Sequence, residues 1–197
     1  MRADWMDIFL LARCRFLVGT NSGPAFVPAL YGTPTVMTNW WPAWERPWHK
    51  PDIFLPKLLR KLSDGRYLTL SETLSEPLGW SYSLRYLAKR CGVDVEDNDP
   101  EMIRAAVVEM FTQLDGTEGP HPDVTALRAR ADQIYHVQGI AGAAQLAGDF
   151  VRRHFDLYRM TASAATHCGY TCGPTGRLLS QPRTQTWTGS LIFACLR

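Results

Sequence analysis

Apolar residues along this chain come in short runs separated by glycine, proline and small polar residues, with longer stretches of helical spacing in between. Residues 4–14 place Trp5, Ile8, Phe9 and Ala12 on one helical face. Phe16, Leu17 and Val18 follow as a short uninterrupted apolar run ending at Gly19, the pattern of a strand buried on both faces of a parallel sheet. Thr20, Asn21 and Ser22 then form a polar turn between Gly19 and Gly23. Pro24 suits the first position of a helix running to about Tyr31, and Pro28 inside it predicts a short or distorted helix. Gly32 stops that helix, and residues 35–38 are the next strand, with Pro34 at its entrance.

Further along, residues 53–59 read as an extended segment, followed by a turn at Ser63, Asp64 and Gly65. Residues 66–70 read as a short strand, Ser71 and Glu72 open a short helical stretch, and residues 76–83 are loop. Asp99 caps a helix opening at Pro100, with Ile103, Val107, Met110 and Phe111 facing the core. Residues 124–135 form a second amphipathic helix, with Leu127 and Ile134 inward and Arg128, Arg130 and Asp132 outward. Residues 139–148 read as small and flexible, and 150–158 as a closing helix. The pattern predicts an α/β fold: a Rossmann-like parallel sheet flanked by helices over residues 1–158. From Arg159 the periodicity stops and no acidic residue follows Asp156, so 159–197 is expected to be an irregular, disordered tail.

The turn after the first strand carries the most chemistry. The amides at the start of the helix face the crevice beyond the strand, where the helix dipole favours an anion. In open α/β sheets ligands sit at that edge, and a diphosphate is the natural occupant. Asn21 or Ser22 capping the helix with nothing bound is the alternative. The turn is neither a Walker loop nor a G-x-G-x-x-G fingerprint.

Thr20-Asn-Ser-Gly-Pro24, then Pro28-Ala-Leu-Tyr-Gly-Thr-Pro34, then Thr38-Asn39, resembles the C-terminal half of GT-B glycosyltransferases. The likeness is to a bacterial branch of that family, with heptosyltransferase-like proteins as more distant relatives. It extends from about Asp4 to Tyr158 through residues 52–59, 100–110 and 147–154. The resemblance implies one half of a GT-B fold that binds a nucleoside-diphosphate sugar and transfers the sugar to a glycan or lipid acceptor. It implies that Thr20, Asn21, Ser22, Gly23, Pro24 and Asn39 line the donor. The heptosyltransferase-like pattern has an aspartate where this chain has Thr20 or Asn21, which leaves the donor sugar open. Such enzymes need no bound metal or cofactor, and no Asp-x-Asp motif stands at this turn. A GT-B enzyme also has an acceptor domain and further strands before this point. The expectation is therefore a fragment truncated at its N-terminus, inactive alone and lacking its acceptor domain. A non-catalytic interaction module derived from such an enzyme, and a nucleotide-sugar epimerase of GT-B fold, are the alternatives. The catalytic residues stay unassigned.

Residues 40–51 hold Trp40, Trp41, Trp44 and Trp48, broken up by Pro42, Pro47 and Pro51. The rings either stack on a sugar or base or pack inward over the core. Arg46 is the candidate cation for the donor phosphate, because guanidinium matches phosphate bidentately. His49 is a candidate general base, and Glu72 and Glu76 are candidates for ribose hydroxyls, with solvated surface charge as the alternative. The acidic run 94–100 lacks the glycine and distal glutamate of an EF-hand, and His167-Cys-Gly-Tyr-Thr-Cys172 lacks the second ligand pair of a zinc site. A net charge of +2 gives no case for nucleic acid or an anionic membrane, and no stretch is long enough to span a bilayer. Five scattered cysteines and no signal-peptide pattern point to the cytoplasm.

Overall fold

A computed structural model describes residues 4–117, 119–158 and 194–196. Helix α1 (Asp4–Arg13) leads into strand β1 (Phe16–Thr20). A single 3-10 turn (Gly23–Phe26) continues into α2 (Val27–Leu30), so the helix is short and broken next to Pro28, as the two prolines predict. Strands β2 (Thr35–Trp40) and β3 (Ile53–Pro56) are joined by the proline-rich crossover 41–52, with no helix in it. A hairpin-like pair, β4 (Leu58–Lys61) and β5 (Val93–Glu96), brackets α3 (Leu70–Leu74) and α4 (Leu84–Tyr86). Then come α5 (Pro100–Asp115), α6 (Pro122–Val137), β6 (Gln145–Leu146), α7 (Gly148–Arg153) and the short strand β7 (Ala194–Leu196).

The sheet order is β6-β3-β2-β1-β7. Strands β6, β3, β2 and β1 are parallel, and β7 runs antiparallel on the β1 edge. This is the Rossmann-like α/β architecture expected from the runs of apolar residues. Both faces are covered, because successive residues Phe16 and Leu17, Val36 and Met37, and Ile53, Phe54 and Leu55 are all buried. Helix α5 lies across β2 and β3, and its Phe111 meets Phe16 edge-on at 4.9 Å. The Tyr135 ring on α6 reaches Phe54 at 6.5 Å. Among the described residues, no helix is long and apolar enough to cross a membrane.

Several local expectations are corrected. Residues 66–70 make one bridge, Tyr67 to Arg60, instead of a strand. Thr69 and Glu72 form a reciprocal capping box, and that local pairing starts α3 at Leu70. The segment 139–148 contains β6, which pairs with β3 through its backbone despite its small side chains. Arg128 faces inward: it is buried, donates from Nε to the Leu146 carbonyl at 2.8 Å and pairs with Glu109. Glu109 in turn accepts the Gly148 N–H at 2.6 Å. On α5 the most buried positions are Met102, Ala106 and Met110, with Ile103, Val107 and Phe111 packed half-buried beside them. The expected tail and the His167–Cys172 cluster lie outside the described residues, apart from the β7 pairing.

Candidate functional site

Strand β1 delivers its last residues to the C-terminal edge of the parallel sheet, where Thr20 pairs in register with Thr38 of β2. The Thr38 hydroxyl donates to the Gly19 carbonyl at 3.2 Å and fastens the two strand ends together. Beyond them the chain turns sharply. Gly19 is buried, Thr20, Asn21 and Ser22 are half-buried, and Gly23 and Pro24 are exposed. The turn therefore stays open to solvent on the side where the short helix starts.

Ser22 sits at the N-cap position with extended backbone, yet its side chain makes no capping bond. Its Oγ is shielded and has no hydrogen-bond partner among the described residues. The Ala25 amide is already used, donating to the Ser22 carbonyl at 2.9 Å, because the first turn is 3-10 instead of α. Pro24 has no N–H to offer. That leaves the Ser22 and Gly23 amides without a backbone acceptor among the described residues. A hydroxyl and two amides without partners form a donor-rich turn that suits an anionic oxygen. The turn contains no titratable side chain, so it can hold a charge but cannot move a proton.

The other expected donor residues have structural duties. Asn21 donates from Nδ2 to the Trp41 carbonyl, tying the β1 turn to the β2–β3 crossover. Asn39 lies at the same sheet edge in the left-handed region, with φ of 51°. It exchanges two hydrogen bonds with buried Asn98: its N–H donates to Asn98 Oδ1 at 2.6 Å, and its Oδ1 accepts the Asn98 N–H at 2.7 Å. Asn98 Nδ2 also donates to the Pro56 carbonyl at 2.9 Å, so the pair locks the ends of β2 and β3 together. The Asn39 backbone N–H and side-chain oxygen are thereby directed into the fold.

Arg46 is turned away from the turn. Its Nε and Nη2 donate to the Ala144 carbonyl at 3.1 and 2.7 Å, and Nη2 pairs with Asp132 at 2.6 Å. The guanidinium lies over the Tyr135 ring, 5.1 Å from its centroid. Gly142 closes over its stem, where an added Cβ would stand 2.6 Å from Arg46 Cβ and Cγ. Arg46 thus clamps the crossover to α6 and to the segment before β6.

His49 is on the wrong edge for chemistry at the turn. Its Nδ1 lies 2.8 Å from Asp52 Oδ1, and the same carboxylate oxygen accepts the Thr35 N–H at 2.8 Å. Thr35 begins β2 and Asp52 precedes β3, so this pair sits at the N-terminal edge. Three residue steps along the strand lead from Thr35 to Thr38, about 10 Å of rise, before the turn is reached. Burial pushes the Asp52 carboxyl up, with the His49 contact and the Thr35 amide pulling it back.

Glu72 is fully engaged by Arg66, which reaches its two oxygens at 2.9 and 2.8 Å, and by the Thr69 amide at 2.9 Å. Arg66 holds its carboxyl down at about 2. Glu76 is exposed. In the acidic run, Asp94 and Glu96 pair with Arg60, Asp97 pairs with Lys57, and Asp99 caps α5 by accepting the Met102 N–H at 2.7 Å. Of the tryptophans, Trp40 and Trp41 pack inward while Trp48 is exposed. Asn98, the Asp52 partner of His49, and Trp80 beside Trp44 were not singled out from the sequence. Only the opposed asparagines at two strand ends offered a signal, and it is invisible without the register. No known family, curated protein or solved structure matches this chain.

Proposed function

We propose that this chain binds a nucleoside-diphosphate sugar at the turn after β1, as the donor-binding half of a GT-B-type glycosyltransferase. The observation that carries the reading is the open turn at the C-terminal edge of a parallel sheet. There the Ser22 and Gly23 amides and the Ser22 hydroxyl have no partner among the described residues. The sequence resemblance over Thr20–Pro24, Pro28–Pro34 and Thr38–Asn39 supports the same ligand.

The role of the turn is electrostatic. Amides fixed before the ligand arrives stabilise the departing diphosphate without reorganising. Asn21 and Asn39 act one step back, holding the crossover and the strand ends that shape the turn. Inverting sugar transfer would further need a base from outside the turn, which carries no titratable group.

The test is calorimetric titration of UDP-, GDP- and ADP-linked sugars into the full chain and into Ser22→Ala. The proposal expects saturable binding of at least one donor. Ser22→Ala then weakens it about tenfold, the loss of one charge-assisted hydrogen bond. The variant's thermal midpoint stays at or above the parent's, because the removed hydroxyl had no partner. Absence of binding by all three donor classes, or equal affinity in Ser22→Ala, refutes the assignment.

A further inference from the structure

A cleft of about 610 Å³ opens between the β2–β3 crossover and the turn that follows α6. That is the size of a small-ligand site. Its walls are aromatic: Trp44, Trp48 and Trp80, with Phe26 and Ile140 beside them. Trp44 stacks face to face on Trp80, with centroids 4.8 Å apart and planes 9° from parallel. Trp48 and Trp80 are 54% and 55% exposed, so flat indole surface is left open to solvent. None of residues 20–24 lines this cleft, although Phe26, at the end of the same 3-10 turn, does.

The polar groups decide what kind of ring fits. Trp44 Nε1 is buried and has no acceptor among the described residues, an arrangement that favours a ligand oxygen arriving there. The Gly139 and Ile140 carbonyls accept no hydrogen bond among the described residues, so this rim offers free acceptors. The cation of the lining is already matched, and its one carboxylate has a hydroxyl partner. Arg46 pairs with Asp132 and the Ala144 carbonyl, and Glu45 accepts the Tyr82 hydroxyl. Little charge is left for a phosphate or a carboxylate. The cleft therefore disfavours an anion and suits a ligand with one flat apolar face and groups that both donate and accept at its edge.

We infer that the tryptophan cleft is a glycan-binding subsite in which a neutral pyranose ring stacks on Trp48 and Trp80. The C–H face of the sugar lies on the indole surface, one hydroxyl oxygen accepts from Trp44 Nε1, and others donate to the Gly139 and Ile140 carbonyls. A nucleobase would also stack on the indoles, and adenosine and uridine titrations distinguish it from a saccharide. The inference stands independently of the donor site, because its test uses saccharides with no nucleotide present.

The test is titration of cellohexaose, maltohexaose and chitohexaose into the full chain, read by tryptophan fluorescence and calorimetry without nucleotide present. Saturable binding of at least one saccharide is expected. Trp48→Ala and Trp80→Ala should each weaken it about tenfold or more, as truncating an aromatic anchor does. Trp5→Ala, on α1, and Ser22→Ala should leave it unchanged. Among the described residues Trp48 is stacked on no other tryptophan, so its variant keeps the test valid even if Trp80→Ala disturbs Trp44. No saturable binding by any of the three saccharides overturns the inference. So does affinity unaffected by both variants, and so does adenosine or uridine quenching these tryptophans where no saccharide does.

Discussion

Replacing Arg46 separates two roles that the sequence alone leaves open, a phosphate ligand and a structural clamp. The guanidinium side chain is 9% exposed and spans the Ala144 carbonyl, Asp132 and the Tyr135 ring. A charged hydrogen bond to a carbonyl contributes about 1.5–3 kcal/mol. The ring contact adds about 1 kcal/mol. The pair with Asp132, whose carboxylate is half in solvent, adds at most about 1 kcal/mol. Arg46→Ala is therefore expected to lower stability by about 3 kcal/mol, a large part of the roughly 5–15 kcal/mol that holds a domain together. With a urea slope of about 2 kcal/mol per molar, the unfolding midpoint followed by circular dichroism falls by about 1.5 M. Asp132→Asn should cost less than about 1 kcal/mol, since it removes only the exposed partner. Arg46→Lys should fall between the two, because an ammonium cannot hold the Ala144 carbonyl with two donors. An Arg46→Ala midpoint within about 0.3 M of the parent, together with weakened binding of a nucleotide sugar, would refute the clamp and return Arg46 to the donor site.

Two further outcomes follow from the ion pairs. The Glu72 carboxyl drops from an ordinary 4.5 to about 2 in the folded chain, chiefly through Arg66. Its contribution is present above about 4.5 and is lost as pH falls towards 2. Glu72→Gln should thus be less stable than the parent at pH 7 and show a flatter acid limb in denaturation against pH; parallel curves would contradict this. Arg128→Ala leaves the Glu109 carboxylate with the Gly148 amide and orphans the Leu146 carbonyl. A loss of about 3 kcal/mol is expected by urea unfolding, and one below about 1 kcal/mol would show the pair to be dispensable.

Much of the fold was legible because its strands are continuous apolar runs and its breaks are marked by proline and glycine. Phe16–Val18, Gly32 and Asp99-Pro100 each fixed a boundary through local chemistry. Strand β6 was not legible, because Gln145 and Leu146 join the sheet through backbone pairing that leaves no periodic signature. Arg128 was misplaced for a related reason: helical spacing put it among polar neighbours, while its Glu109 partner lies on another helix. At the candidate site, the turn itself could be read from Thr20 to Pro24. What the sequence could not give was which polar groups were already engaged. Asn21, Asn39 and Arg46 look free in one dimension and are consumed by Trp41, Asn98 and Ala144 in three. His49 lies ten residues beyond Asn39 in sequence, yet the crossover carries it to the opposite sheet edge.

The donor proposal depends on the amides of Ser22 and Gly23 meeting a diphosphate. Amide nitrogen–proton correlation spectra recorded while a UDP-, GDP- or ADP-linked sugar is added observe those groups directly. The account predicts saturable downfield shifts of the Ser22 and Gly23 amide protons, with the Trp48 and Trp80 indole signals unmoved. Shifts confined to other residues, or none at any donor concentration, would contradict it.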